Sequence, residues 1–133
     1  MIRNSDQLGI DHTKIVLWSC SANTPVAIKL LTNLSAGYQE YLRGAVFYYG
    51  VMGGAGDLPR NVRLFVMKGG KDTNVDNGQI DDFVAHARDL NIPVQLVEYP
   101  EGIHAFDVRQ DTDQSRTIIK QTLDFMKQTL LNN

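Results

Sequence analysis

The sequence predicts an α/β fold: a parallel sheet of about four strands with flanking helices. Two observations carry that prediction. Four short apolar runs of strand length recur along the chain, and stretches of helical periodicity lie between them. A third observation bounds the size. At 133 residues the chain reads as one domain, 1–133, able to bury about two thirds of its unfolded surface.

The elements follow in order. The opening Met1-Ile2-Arg3-Asn4-Ser5-Asp6 lacks the apolar centre of a secretory leader. Lys14-Ile15-Val16-Leu17-Trp18-Ser19-Cys20 is the first strand and Ala45-Val46-Phe47-Tyr48-Tyr49 the second. Both are nearly continuous in apolar residues, the pattern of strands covered on both faces. Between them a helix begins near Pro25, since proline suits a first helical position, and Val26, Ala27, Leu30, Leu31 and Leu34 make its apolar face. Gly50 to Asn61 is short and Gly-rich, with little room for a crossover helix. Val62–Met67 and Val94–Tyr99 are the third and fourth strands. They alternate more, which suits places nearer a sheet edge. Ile80, Phe83, Val84, Ala87 and Leu90 form a second helical stripe, with Asn77 as its cap. Ile118, Ile119, Thr122, Leu123, Met126 and Leu130 form a third, after Asp111 and Thr112.

Composition excludes several classes. A hydrophobic fraction of 43% and a charged fraction of 21% exclude a disordered tail, a collagen-like rod and a disulfide scaffold. Thirteen Lys and Arg against fifteen Asp and Glu leave a net charge of −2, so no nucleic-acid partner is expected. No apolar run approaches the roughly 18 residues of a membrane span, so no membrane association is expected. The single cysteine, Cys20, cannot form an internal disulfide and fits a reducing, cytoplasmic compartment. No metal or cofactor is expected. There is no Cys/His cluster for zinc. Gly53-Gly54-Ala55-Gly56 leads into Leu58-Pro59 rather than a dinucleotide-type helix, and Gly70-Lys71-Asp72-Thr73 lacks the upstream glycine of a phosphate loop.

Three polar residues follow three of the strands: Ser21 the first, Asp72 the third and His104 the fourth. A parallel sheet delivers all three to one edge, where the sites of open α/β sheets form. Serine needs a base to take its proton, histidine is that base near neutral pH, and a carboxylate fixes the histidine tautomer. Singly, each residue has a plainer reading: Ser21 as a helix cap, Asp72 as a turn residue, His104 as a loop histidine bonded to backbone. Jointly, at matching strand ends, they read as a triad or its relic. His12 and His86 are given no role.

The order Ser, Asp, His is that of the α/β-hydrolase family, and the local sequences resemble it. Ser19-Cys20-Ser21-Ala22-Asn23 resembles the family's nucleophile elbow, with Ser19 and Asn23 at its two glycine positions. Gly69-Gly70-Lys71-Asp72 resembles its acid turn, and Pro100-Glu101-Gly102-Ile103-His104-Ala105-Phe106 its histidine loop. The closest look is to small esterases and dienelactone-hydrolase-like members. The resemblance covers the whole chain but only the C-terminal half of the family's domain. Met1 to Asp11 resembles the end of the helix before the elbow strand, and the earlier strands are expected to be missing.

The resemblance implies a serine hydrolase acting on a small-molecule ester or related acyl substrate. Ser21 would be the nucleophile, His104 the base, Asp72 its orienting carboxylate, and the Ala22 backbone N–H one oxyanion donor. With the second donor missing, activity should be weak. Cys20 is a rival nucleophile, since some dienelactone-hydrolase-like enzymes use cysteine, but that frame puts bulky Trp18 two positions earlier. The alternative is a catalytically inactive half-domain acting as a structural or interaction protein. Either way the first strand would expose an apolar edge, so a homo-oligomer is expected, with first strand against first strand.

Overall fold

The computed structural model describes residues 2–33, 37, 40–53 and 56–131. The strands are β1 (Ile15–Cys20), β2 (Leu42–Tyr48), β3 (Arg63–Gly69) and β4 (Val94–Tyr99). The helices are α1 (Ser5–Leu8), α2 (Thr24–Thr32), α3 (Asn77–Asp89), α4 (Phe106–Arg109) and α5 (Asp113–Leu131), with 3₁₀ turns at Ile2–Asn4 and Ser21–Asn23. Met1, Leu34 of the first apolar stripe, and Gly54 and Ala55 of the glycine run lie outside the described residues.

All four strands are parallel, in the order β1-β2-β3-β4. Their C-terminal ends therefore share one edge of the sheet. The register sets Cys20 opposite Tyr48, Tyr48 opposite Met67, and Gly69 opposite Tyr99. The residues just past these ends are thus brought to one level.

The core has two layers, one on each face. Ala45 and Phe47 of β2 pack with Leu64 and Val66 of β3 under Ile28 and Leu31 of α2 and Ile80, Phe83 and Val84 of α3. Val46, Tyr48, Phe65 and Met67 turn the other way, under Phe106 of α4 and Ile118 and Phe125 of α5. Alternate residues facing two apolar layers make β2 read as continuously apolar.

Two strand readings are corrected here. β3 is an interior strand, buried along most of its length. Its charged residues sit near the ends and reach outward. The Arg63 guanidinium lies 5.9 Å from the centre of the Phe125 ring, and Lys68 pairs with Asp81 at 2.5 Å and Glu98 at 3.1 Å. Long cationic side chains lay their stems on apolar surface, so they mimic an edge pattern without being at one. β1, read as covered on both faces, is only partly buried, with Trp18 39% exposed; its place at the sheet edge is the one expected of it.

The helix starts follow local chemistry. Pro25 sits in the first turn of α2. The cap of α3 is Asp76, not Asn77: Asp76 Oδ1 accepts from Gly78 N at 2.8 Å. Asn77 is the first helical residue, and its side-chain amide donates to the Gly69 carbonyl at 2.9 Å. Thr112 Oγ1 accepts from Ser115 N at 3.1 Å at the start of α5. The β2–β3 connection has no helix among the described residues; Met52, Leu58 and Val62 anchor it in the core. Among the described residues no helix is long and apolar enough to cross a membrane.

Candidate active site

β1 runs extended to Cys20, at φ −132° and ψ 146°. The next residue, Ser21, takes φ +51°. A left-handed angle costs a non-glycine residue about 1–2 kcal/mol, and it persists only where the surroundings over-determine it. The reversal turns the chain directly into the 3₁₀ turn and α2. It also lifts Ser21 from the sheet edge so that its Oγ lies 2.8 Å from His104 Nε2. No side chain caps α2, so the Ser21 hydroxyl goes to histidine rather than to the helix.

The rest of the elbow shows where the strain sits. Asn23 has ordinary right-handed angles, φ −81° and ψ −14°, and is exposed. Its bulk therefore faces solvent, and no unusual backbone angle is asked of it. Ser19 is buried, and its hydroxyl has no hydrogen-bond partner among the described residues. The tight approach is made instead by Gly50, where a Cβ would stand 2.5 Å from Thr24 Oγ1.

Asp72 follows β3 with its side chain wholly buried. Its two oxygens divide their work. Oδ1 accepts from the backbone N–H groups of Asn74 at 2.8 Å and Val75 at 3.3 Å. Oδ2 lies 2.8 Å from His104 Nδ1. Asp72 is thus both a turn residue and the partner of histidine.

The acid turn and the histidine loop are sewn together by backbone. Gly70 N donates to Tyr99 O at 2.8 Å and Lys71 N to Gly102 O at 2.9 Å. A Cβ on Gly69 would lie 2.4 Å from Gly102 O, and one on Gly70 would lie 2.4 Å from Pro100 O. Both glycines are required by close approach of backbone to backbone. Gly70→Ala is expected to lower stability by about 1–3 kcal/mol, as overpacking that forces a backbone shift does. Gly53→Ala, with open space around the new Cβ, should change it little. Urea denaturation of the two variants checks both. Gln110 adds a clamp: Oε1 accepts from Ile103 N at 2.9 Å and Nε2 donates to Glu101 O at 3.0 Å.

Both nitrogens of His104 are therefore engaged. A carboxylate only accepts, so Nδ1 carries the proton toward Asp72, and the Nε2 lone pair faces the Ser21 hydroxyl. Serine, imidazole and carboxylate are joined in one line. The backbone N–H of Ala22 belongs to the first turn after β1, where N–H groups lack intrahelical partners. Cys20 packs against the Tyr48 and Phe106 side of the core, and burial pushes its thiol pKa up, away from the reactive thiolate. His12 shares a hydrogen bond with Ser5, and His86 donates to the Gly56 carbonyl; neither joins the line.

Sequence reasoning missed Gln110 and treated Tyr49 as an ordinary core residue. The Tyr49 ring meets the His104 ring with centroids 4.8 Å apart. Its signal is a φ of +37°, which no local pattern announces.

The model of the dienelactone hydrolase family matches residues 29–130, a span that holds Asp72 and His104 and begins after Ser21. No curated protein sequence matches the chain. Among solved structures, an α/β-hydrolase enzyme from a Medee basin deep-sea metagenome library is similar at TM-score 0.82 and 17% identity, over 96% of this chain and 59% of that one. Thermogutta terrifontis esterase 2, phosphonylated by cyclosarin, is similar at TM-score 0.75 and 16% identity, over 95% and 58%. A carboxylesterase from Lactobacillus plantarum is similar at TM-score 0.79 and 14% identity, over 99% and 65%. The chain spans less than two thirds of the length of each. These likenesses show a shared α/β-hydrolase fold.

Proposed function

The chain belongs to the dienelactone hydrolase family, and from that premise we propose that it is a serine hydrolase cleaving an ester or related acyl substrate. The observation that carries the reading is the pair of 2.8 Å contacts running from Ser21 through His104 to Asp72. In this reading Ser21 Oγ attacks the carbonyl carbon as its proton passes to His104 Nε2. Asp72 holds Nδ1–H and balances the imidazolium. The Ala22 N–H receives the oxyanion. The imidazolium then protonates the leaving alcohol, and water repeats the sequence to free the acid. Absence of one oxyanion donor costs roughly 100- to 1,000-fold. With only Ala22 identified as a donor, we propose slow turnover by this span alone. The lone cysteine suits a cytoplasmic setting.

A fluorophosphonate label tests the reading, because it reacts with an activated serine and needs no knowledge of the substrate. Thermogutta terrifontis esterase 2 has been phosphonylated by cyclosarin and phosphorylated by paraoxon, so phosphorus reagents are an apt probe. One adduct, on the peptide containing Ser21, is the expected result. An adduct on Cys20 moves the nucleophile. No adduct, together with no hydrolysis of short-chain esters, favours the inactive structural half-domain.

We further propose that two copies pair along β1. Among the described residues β1 has one sheet partner, β2. Beside its open edge runs a groove of about 510 Å³ lined by Leu17, Trp18, Val26, Ala27 and Leu30. A strand edge is self-complementary about a two-fold axis, so a second copy satisfies its N–H and C=O groups. Sedimentation should find a dimer at micromolar concentration that Trp18→Lys dissociates. A stable monomer overturns the pairing.

A further inference from the structure

Tyr49 is the first residue past β2, set level with Ser21 by the pairing of Cys20 with Tyr48. Its φ of +37° is a genuine outlier for a bulky side chain. Such strain is retained where several contacts hold it, and three do so here. Tyr49 N donates to Met67 O at 2.9 Å. The ring, 5% exposed, meets the His104 imidazole at a centroid separation of 4.8 Å and an interplanar angle of 60°. The hydroxyl donates to Asp107 Oδ1 at 2.7 Å.

Asp107 stands in α4, three residues after His104. Between them Ala105 takes left-handed angles, φ +58° and ψ +41°. The segment carrying the imidazole is therefore sharply reversed, and the Tyr49–Asp107 bond ties the far side of that reversal to the end of β2. Burial, with the carboxylate acceptor, pushes the Tyr49 hydroxyl pKa up, so it stays a donor across the working pH range.

We propose that Tyr49 and Asp107 are a positioning pair for His104. The ring bounds the imidazole, and the hydroxyl–carboxylate bond locks both the ring and the reversed segment. Nε2 thereby stays on Ser21 while Asp72 holds Nδ1. The inference rests on the serine-hydrolase reading.

The test compares Tyr49→Phe, Asp107→Ala, their double variant and Asp107→Asn with the wild type, all in the full chain. Stoichiometry of fluorophosphonate label at saturation comes first and reports the serine-hydrolase reading itself. The rate of labelling and the kcat and KM for a short-chain ester come next. Tyr49→Phe and Asp107→Ala should each slow labelling and lower kcat about tenfold, the scale of a lost hydrogen bond to a charged group, with KM unchanged. The double variant should be no slower than either single one. Asp107→Asn, whose amide oxygen still accepts from the tyrosine, should stay close to wild type. Additive losses, an Asp107→Asn variant as slow as Asp107→Ala, or unchanged kcat per labelled site would overturn the pair. If the wild type takes no label, the serine-hydrolase reading fails, and the low-field His104 Nδ1–H proton resonance still decides the positioning. It should broaden in Tyr49→Phe and persist in Asp107→Asn; a resonance unmoved in Tyr49→Phe refutes the proposal.

Discussion

Ser21→Ala is expected to reduce ester hydrolysis to background and to abolish fluorophosphonate labelling. Loss of the nucleophile from an assembled triad costs about 10⁶ in kcat. With one oxyanion donor identified, the proposed starting rate is low, so the residual rate should disappear into the uncatalysed reaction. The fold should survive. Alanine meets the same backbone cost at φ +51° as serine, and the lost hydroxyl leaves a His104 that is 14% exposed and can bind water. Circular dichroism and the denaturation midpoint should therefore match the wild type. Cys20→Ala is the informative contrast. Cys20 is half-buried against the aromatic core and its thiol pKa is raised by burial, so its removal should cost about 1 kcal/mol of stability and leave most activity. Activity that survives Ser21→Ala and vanishes in Cys20→Ala would refute serine as the nucleophile.

Asp72→Asn is expected to lower kcat by about 10⁴, because of how the two carboxylate oxygens are used. Asn74 N and Val75 N both need an acceptor at Oδ1. The amide oxygen of the variant takes that place, and its NH₂ group then faces His104 Nδ1. A donor there forces Nδ1 to accept, so the imidazole proton moves to Nε2. Nε2 then donates to Ser21 and cannot take its proton. Every hydrogen bond is kept in number, so stability should remain near that of the wild type. A rate within tenfold of the wild type, at equal stability, would remove Asp72 from the mechanism.

Much of this architecture is legible in the chain because it is written locally. An apolar run of six residues bounded by turn residues is a strand wherever it lies, and β4 has the bounds its sequence predicts. A proline ahead of a 3.6-period stripe opens a helix, as at α2. Parallel strands deliver their following residues to one edge, so the placement of Ser21, Asp72 and His104 at that edge follows from strand direction alone. The glycines of Gly69-Gly70 could be read as a turn, although their reason, the approach of the histidine-loop backbone, could not.

What needed the tertiary structure is whatever depends on a partner far away in the chain. Ser21 and His104 are 83 residues apart, and His104 and Asp72 are 32 apart. Their 2.8 Å contacts depend on register and loop closure, which periodicity does not encode. Strand order is of the same kind: Arg63 and Lys68 give β3 an edge-like pattern, and only its two neighbours make it interior. Asn77 offers as good a cap as Asp76, and the choice falls to the Gly69 carbonyl that takes the Asn77 amide. Tyr49 is the clearest case. As a sequence it is one more aromatic residue at the end of a strand. Its left-handed φ exists because Met67, His104 and Asp107 hold it from three sides, and strain held by long-range contacts leaves no local trace.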